Sequence, residues 1–284
     1  NYGMDVPGIS IVQPVLVHVG GIVLGIVIVA HIIALLTKQP RCDGTLVPTR
    51  RPTLPRKLPP TRSRPAAAVV EEAIPSRLDE RSPRPPPALV DDDVVDVSNL
   101  QRQTIFTTRD VGYGKAVSAR RWLANFDDSL AVDVSDARIT PDNAANLIAG
   151  CDVVVDGTDN FATRIAVSDA CVAAGIPLLS AAVGRFQGQV AAFAGHLPGE
   201  ACYRCFVGDA FDAEDCDTCA DDGMLGAMAG WAGTFAALQA IKVLLAGVSG
   251  LGDPGWGKLH ILDGLEPGMR TIRIAKDPTC KGCG

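Results

Sequence analysis

The chain has 284 residues, 47% of them hydrophobic and 20% charged, with nine cysteines and a net charge of −6, a size that suits one or two domains. Residues 38–90 carry eleven Lys/Arg against five Asp/Glu, whereas residues 91–284 carry fifteen against twenty-six, a split that marks two pieces with different tasks. The acidic part lacks the basic stripe of a nucleic-acid binder, which argues against that class of partner.

The chain opens on Asn1 rather than Met, which suggests a fragment or an unrecorded start. Residues 6–37 contain no charged side chain, and Ile11–Leu36 is an apolar run broken by Gln13, Pro14, His18 and His31. That run is long enough to cross a bilayer as a helix. Lys38, Arg41, Arg50 and Arg51 follow it, so the positive-inside bias places the rest of the chain in the cytoplasm. A buried apolar segment or a non-native translation are the alternatives for residues 1–37. Residues 38–88 are dense in Pro and Arg, as in Pro85-Pro86-Pro87. Proline at this density blocks helix interiors and sheet ladders, so the segment reads as a disordered linker; its basic stretch next to the apolar run could touch anionic lipid.

From Asp91 the texture changes to alternating strand and helix signals, the pattern of a parallel α/β sheet. The spacing predicts a helix over Lys115–Asn125 and a strand over Ala131–Asp136. Thr140-Pro141 predicts a cap and first turn of a helix running to about Ala149. Asp152–Asp156 reads as a buried strand and Asn160–Ala174 as a helix closed by Gly175. Pro177–Ala182 and Gly188–Ala194 read as strands, and Leu225–Leu245 as a long apolar helix. Lys258–Asp263 and Met269–Ile274 read as a closing antiparallel pair.

Several residues carry chemistry. Asp91 ends a strand-like Ala-Leu-Val, where dinucleotide folds place the carboxylate that binds ribose. Asn99, Arg102 and Gln103 cluster shortly after it, and an arginine there can clamp phosphate oxygens. Lys115 opens a helix, adding a cation where backbone amides already favour anions. Asp159 leaves the carboxyl end of the Asp152–Asp156 strand, a place to hold Mg²⁺ on a triphosphate. Duller readings exist for each: a solvated turn at Asp91–Asp93, a surface ion pair at Arg102, a helix cap at Asp159. Two Cys-x-x-Cys pairs, Cys202–Cys205 and Cys280–Cys283, supply the four sulfurs of a closed structural zinc site; disulfides or a redox pair are the alternative.

Ser98–Gln103 (Ser-Asn-Leu-Gln-Arg-Gln), Val111–Lys115, Thr158–Asn160, Cys202–Cys205 and the terminal Cys-Lys-Gly-Cys-Gly stand in the order found in one family. Residues 89–284 resemble the MoeB/ThiF family of ubiquitin-activating-enzyme-like adenylyltransferases. The resemblance implies a Rossmann-like, mostly parallel sheet with an antiparallel, zinc-tied C-terminal part. It implies a homodimer that uses ATP and Mg²⁺ to adenylate the C-terminal glycine of a ubiquitin-like sulfur carrier protein. Asp91 would hold the ribose; Asn99, Arg102 and Lys115 the phosphates; Asp159 the metal. Asp93, Ser98, Gln103 and Asn160 complete the implied nucleotide-binding set, and Cys202, Cys205, Cys280 and Cys283 would hold Zn²⁺. Cys219, three residues after Cys216, matches the place of a cysteine that accepts sulfur or forms a covalent link in some members.

The family opens with a strand, a Gly-rich turn and a helix before the strand ending at Asp91. Residues 62–89 contain no such turn, and Val19–Gly25, the nearest comparable string, lies far upstream inside the apolar run. The expectation is therefore a sheet whose N-terminal βα unit is absent or replaced, with residues 1–88 derived from a frameshift, a gene-model error or a fusion. A membrane-tethered carrier-binding module without ATP turnover is the alternative function.

Overall fold

Short runs of Val, Leu and Ala build an eight-stranded sheet in the computed structural model, which describes residues 15–18, 86–208, 223–246 and 253–284. The strands are β1 (Val15–His18), β2 (Ala88–Val90), β3 (Asp133–Ser135), β4 (Val153–Asp156), β5 (Leu178–Val183), β6 (Gln187–Phe193), β7 (Lys258–Asp263) and β8 (Gly268–Arg273). Their order is β3-β2-β1-β4-β5-β6-β7-β8. The first five run parallel, and β5 to β8 pair antiparallel. The helices are α1 (Lys115–Phe126), α2 (Ala144–Leu147), α3 (Phe161–Ala174), α4 (Tyr203–Val207) and α5 (Gly226–Leu244).

Successive side chains of a strand point to opposite faces, and here both faces are covered. Leu89, Val153, Val155, Leu179, Ala181, Val190 and Leu262 pack with Ala116, Ala119 and Leu123 of α1 and Ala232, Ala236 and Ala240 of α5. Val90, Val154, Leu178, Ala191 and Phe193 pack on the other side with Val167 and Cys171 of α3 and Tyr203 of α4. Leu179 has no exposed surface, and truncating such a leucine to alanine costs about 2–5 kcal/mol. All described residues belong to one compact unit.

Local chemistry sets the helix ends. The Asn160 side chain accepts from the Thr163 N–H and starts α3, and Gly175 ends it in the left-handed region at φ 70°. The helix expected from Thr140 is shorter than the spacing suggested. Asn143, not Thr140, supplies the organising side chain: its Oδ1 accepts from the Thr140 N–H at 2.8 Å, and α2 follows only from Ala144.

Two expectations about the N-terminus need correction. The expected gap in the sheet is filled: β1 lies between β2 and β4, with Leu16 opposite Ala88 and Val15 opposite Val153. The strand ending near Asp91 therefore has its partner. A single membrane helix over Ile11–Leu36 does not describe Val15–His18, which are extended; the rest of that run lies outside the described residues, as does the Pro/Arg-rich stretch up to residue 85. Among the described residues, one helix, α5, is long and apolar enough to cross a membrane, and half of it is buried inside the fold.

Candidate active site

Register sets which side chains meet. Val134, Leu89, Val17, Val155 and Leu179 lie on one line across β3, β2, β1, β4 and β5. Two residues farther along, Asp91 and Gly157 leave the same edge of the sheet. They sit two strand spacings apart, about 9.6 Å. The chain winds from β1 out to β2 and β3 and then back to β4 on the other side, so β1 and β4 flank the point where the winding reverses. Open α/β sheets bind ligands at the carboxyl ends of the strands at such a reversal. Val19–Gly25 follow β1 in the sequence and lie outside the described residues.

The β2 tip is tightly organised. Asp91 is 1% exposed, and its Oδ1 accepts from the Asp93 N–H at 2.8 Å. Asp93 Oδ2 takes the Lys115 ammonium at 2.6 Å, and the Lys115 N–H donates to the Asp93 carbonyl at 2.8 Å. The lysine side chain is 7% exposed and its partner 51%, so the cation sits inside with its carboxylate at the surface. A bridge between Val94 and Gly114 ties the start of α1 to the same segment.

Val97–Asn99 forms a short 3₁₀ turn capped by Asp96. Asp96 Oδ1 accepts from the Ser98 N–H at 2.8 Å, and Asn99 Oδ1 accepts from the Asp96 N–H at 3.1 Å. The Ser98 hydrogen bonds hold the Asp96 carboxyl below the usual carboxylate range. Arg102 Nη1 donates to the Ser98 carbonyl at 3.0 Å. Among the described residues, Arg102 Nε and Gln103 Oε1 are buried without a hydrogen-bond partner. Buried polar atoms are normally paired, and functional sites are where exceptions concentrate. Gln101 Nε2 donates to the Met224 carbonyl at 2.9 Å, fastening this turn to the chain that enters α5.

The β4 tip faces it. Asp156 Oδ1 accepts from the Thr158 N–H at 2.9 Å. Because Asn160 caps α3, Asp159 is not the cap and stands exposed at the tip. Behind it, the buried Arg164 guanidinium donates to Ser180 Oγ at 3.2 Å, to the Ala181 carbonyl at 3.1 Å and to the Thr158 carbonyl. One side chain thus ties the end of β4 to the middle of β5. A cavity of about 390 Å³ opens here, lined by Asp159, Phe161, Arg164, Gln189, Tyr203 and Phe206 among others.

The four cysteines converge although the two pairs are 78 residues apart. Cys202 and Cys205 sulfurs are 3.8 Å apart, Cys202 and Cys280 3.6 Å, and Cys205 and Cys283 3.5 Å. Tetrahedral zinc with Zn–S bonds of about 2.3 Å needs sulfur–sulfur edges of about 3.8 Å, so the set fits such an ion. A disulfide needs about 2.05 Å, and all four are free thiols. Burial pushes the Cys202 thiol up. At Cys205 burial acts the same way, but hydrogen bonds from the Asp277 and Cys202 backbones outweigh it and hold that thiol below its ordinary value. Gly195 makes room for the site, since a Cβ there would lie 2.5 Å from that of Cys202. Arg204 grips Asp169 through Nε and Nη2, both at 2.8 Å, and so fixes α4 to α3.

The model of the ThiF family matches residues 88–282. This chain belongs to the ThiF family. A sulfur carrier protein adenylyltransferase of Thermus thermophilus is 39% identical over 201 residues, covering 69% of this chain and 72% of that protein. The molybdopterin-synthase adenylyltransferase of Escherichia coli is 36% identical over 196 residues, covering 69% of this chain and 76% of that protein. Among solved structures, E. coli MccB with a variant MccA peptide superposes with a TM-score of 0.67 at 17% identity, covering 97% of this chain and 68% of that one. The last likeness speaks for the fold alone.

Against this ThiF-family frame, the structure joins Asp91, Asp93 and Lys115 by direct bonds and packs Ser98, Asn99, Arg102 and Gln103 into the adjoining turn. Asp159 and Asn160 stand at the β4 tip across β1. Cys219 and Cys216 lie outside the described residues. Sequence reasoning missed Arg164 and Arg138. Arg164 follows Asp159 by five positions, about one turn into α3, the only hint of a role. Arg138 Nε meets Asp92 Oδ2 at 2.9 Å, and its position just past the strand expected at Ala131–Asp136 was the available signal.

Proposed function

We propose that this chain adenylates the C-terminal glycine carboxylate of a small ubiquitin-like sulfur carrier protein with MgATP. The observation that carries the reading is the locked Asp91–Asp93–Lys115 cluster standing across β1 from Asp159 at the winding reversal of a ThiF-family sheet. The names of the relatives from T. thermophilus and E. coli, both adenylyltransferases, support the reaction class and with it an adenine nucleotide as donor.

In this reading Asp91 binds the ribose hydroxyls, with Asp93 setting its geometry. Ser98, Asn99, Arg102, Gln103 and Lys115 hold the phosphates. Asp159, with Asn160 beside it, holds Mg²⁺, which when bound neutralises charge on the phosphate oxygens. A carrier carboxylate oxygen bonds to the α-phosphorus as the bond to the bridging oxygen breaks, and pyrophosphate leaves with that electron pair. Arg102 and Lys115 stabilise the charge that spreads over the phosphate oxygens, and no side chain forms a bond to the substrate. The cavity beside Asp159, walled by Phe161, Tyr203 and Phe206, suits a narrow, extended carrier tail. Zn²⁺ on Cys202, Cys205, Cys280 and Cys283 fastens the C-terminal strands behind that wall.

A homodimer fits the apolar side chains left on the α1–α5 layer: Val117 and Phe126 of α1 and Trp231 and Leu238 of α5 are 38%, 57%, 37% and 52% exposed. Cys219 is the residue to examine for a later sulfur-transfer or thioester step, and a reaction fed by ATP fits a cytoplasmic domain. No observation favours the carrier-binding module without turnover.

ATP–pyrophosphate exchange with purified protein and a carrier ending in Gly-Gly tests the reading. Exchange above background is expected, falling about 10²–10³-fold in Lys115→Met, the range for removing one preorganised donor from a transition state. Carrier binding without exchange in the wild type would refute it.

A further inference from the structure

We infer that Arg138 is a nucleotide-binding cation, supplying positive charge on the β3 side of the pocket beside the acidic β2 tip, where Asp92 competes with the nucleotide for it. The inference rests on the adenylation reading above and assigns that site a further residue.

The charge balance at the mouth calls for such a group. Asp92 and Asp93 project from the β2 tip and Asp159 from the β4 tip, all exposed. Lys115 answers one of them, Asp93. Asp159 is the residue read above as holding Mg²⁺, so a polyphosphate approaching this edge would otherwise meet the Asp92 carboxylate without a cation, and like charges in one cleft repel an anionic ligand. Arg138 supplies the missing positive charge. Its Nε lies 2.9 Å from Asp92 Oδ2. Asp92, through the hydrogen bond first of all, and more weakly Asp93 and Asp159 raise its affinity for the proton.

The backbone beneath it is pinned while the side chain is open. Asn143 Nδ2 donates to the Arg138 carbonyl at 2.9 Å, and the same amide accepts from the Thr140 N–H at 2.8 Å. The next carbonyl, of Ile139, accepts from Thr163 Oγ1 of α3 at 3.4 Å, and the Ile139 side chain is 3% exposed. The Arg138 side chain itself is 65% exposed. A donor on a fixed base costs little entropy when it engages a ligand, and the planar guanidinium fork matches phosphate geometry. A bare structural staple between the β3 loop and the β2 tip would use the ion pair differently. An exposed pair of that kind contributes at most about 1 kcal/mol, and either partner's loss would act in the same direction.

The two ideas separate on opposite signs. Arg138→Met keeps the aliphatic stem and removes the charge. It should raise the KM for ATP in the exchange assay about tenfold, the size of one lost charge-assisted hydrogen bond, with kcat held within about twofold. Arg138→Lys should recover part of that loss. Asp92→Asn removes a repelling carboxylate and releases Arg138, so it should lower the KM for ATP about threefold. Thermal unfolding of each variant should stay within a few degrees of the wild type, which separates binding from folding. A wild-type KM in Arg138→Met overturns the inference, as does a rise in KM in both Arg138→Met and Asp92→Asn. In either case normal wild-type exchange leaves the adenylation reading standing. Absence of exchange in the wild type overturns both.

Discussion

Replacing Arg164 by leucine tests whether one buried guanidinium holds the β4 tip against the middle of β5. The side chain is 7% exposed and donates to the Thr158 carbonyl, to Ser180 Oγ and to the Ala181 carbonyl. Leucine removes all three donors and leaves their acceptors without this partner, at about 1 kcal/mol each. The cavity alongside lets water reach part of that wall, so the expected loss is about 2–3 kcal/mol. At about 2–4 °C per kcal/mol for a domain of this size, Tm should fall by roughly 4–12 °C. Urea unfolding followed by far-UV circular dichroism gives the free energy directly. The exchange activity should fall further than stability alone explains, because Thr158 immediately precedes Asp159. Arg164→Lys, which keeps the charge and loses the fork, should fall between the two. A loss below about 1 kcal/mol in Arg164→Leu, with exchange unchanged, would refute the clamp.

Metal analysis of the purified protein should find about one zinc per chain, and Cys202→Ser or Cys283→Ser should abolish it and lower Tm; full zinc in both variants would dismiss the site. Stability should also depend on pH through two histidines. Burial lowers the pKa of His196, and at His260 burial, assisted by Lys242 and Lys258, does the same from the ordinary 6.5. A histidine with a lowered folded pKa is neutral in the native state, so its contribution is complete above 6.5 and is lost as pH falls from there toward the folded value. His260→Gln should flatten that part of the stability profile measured by urea unfolding; an unchanged slope would contradict the assignment.

Much of the site was legible because its parts are local. Asp91 at a strand end, Lys115 at a helix start and Asp159 after a buried strand follow from short patterns, and the turn joining Ser98 to Gln103 closes on its own residues. The antiparallel pairing of β7 with β8 and the Gly175 stop of α3 are equally local. The apolar run at residues 11–36 was harder. When every position is hydrophobic, neither the period of a helix nor that of a strand shows, and length alone pointed to a membrane helix. Only pairing with β2 and β4 makes Val15–His18 a strand.

Most element types from β2 onward, the family motifs and the two cysteine pairs were readable along the chain, since each depends on neighbours a few positions apart; the short helix Tyr203–Val207 was not. Tertiary structure decided that β1 closes the sheet and that Cys202 meets Cys280 across 78 residues. It also decided that Arg138 meets Asp92 across 46 and that Arg164 ties the β4 tip to β5. Those contacts arise from the register of strands joined by crossovers, and register is set by burial on both faces of the whole sheet at once.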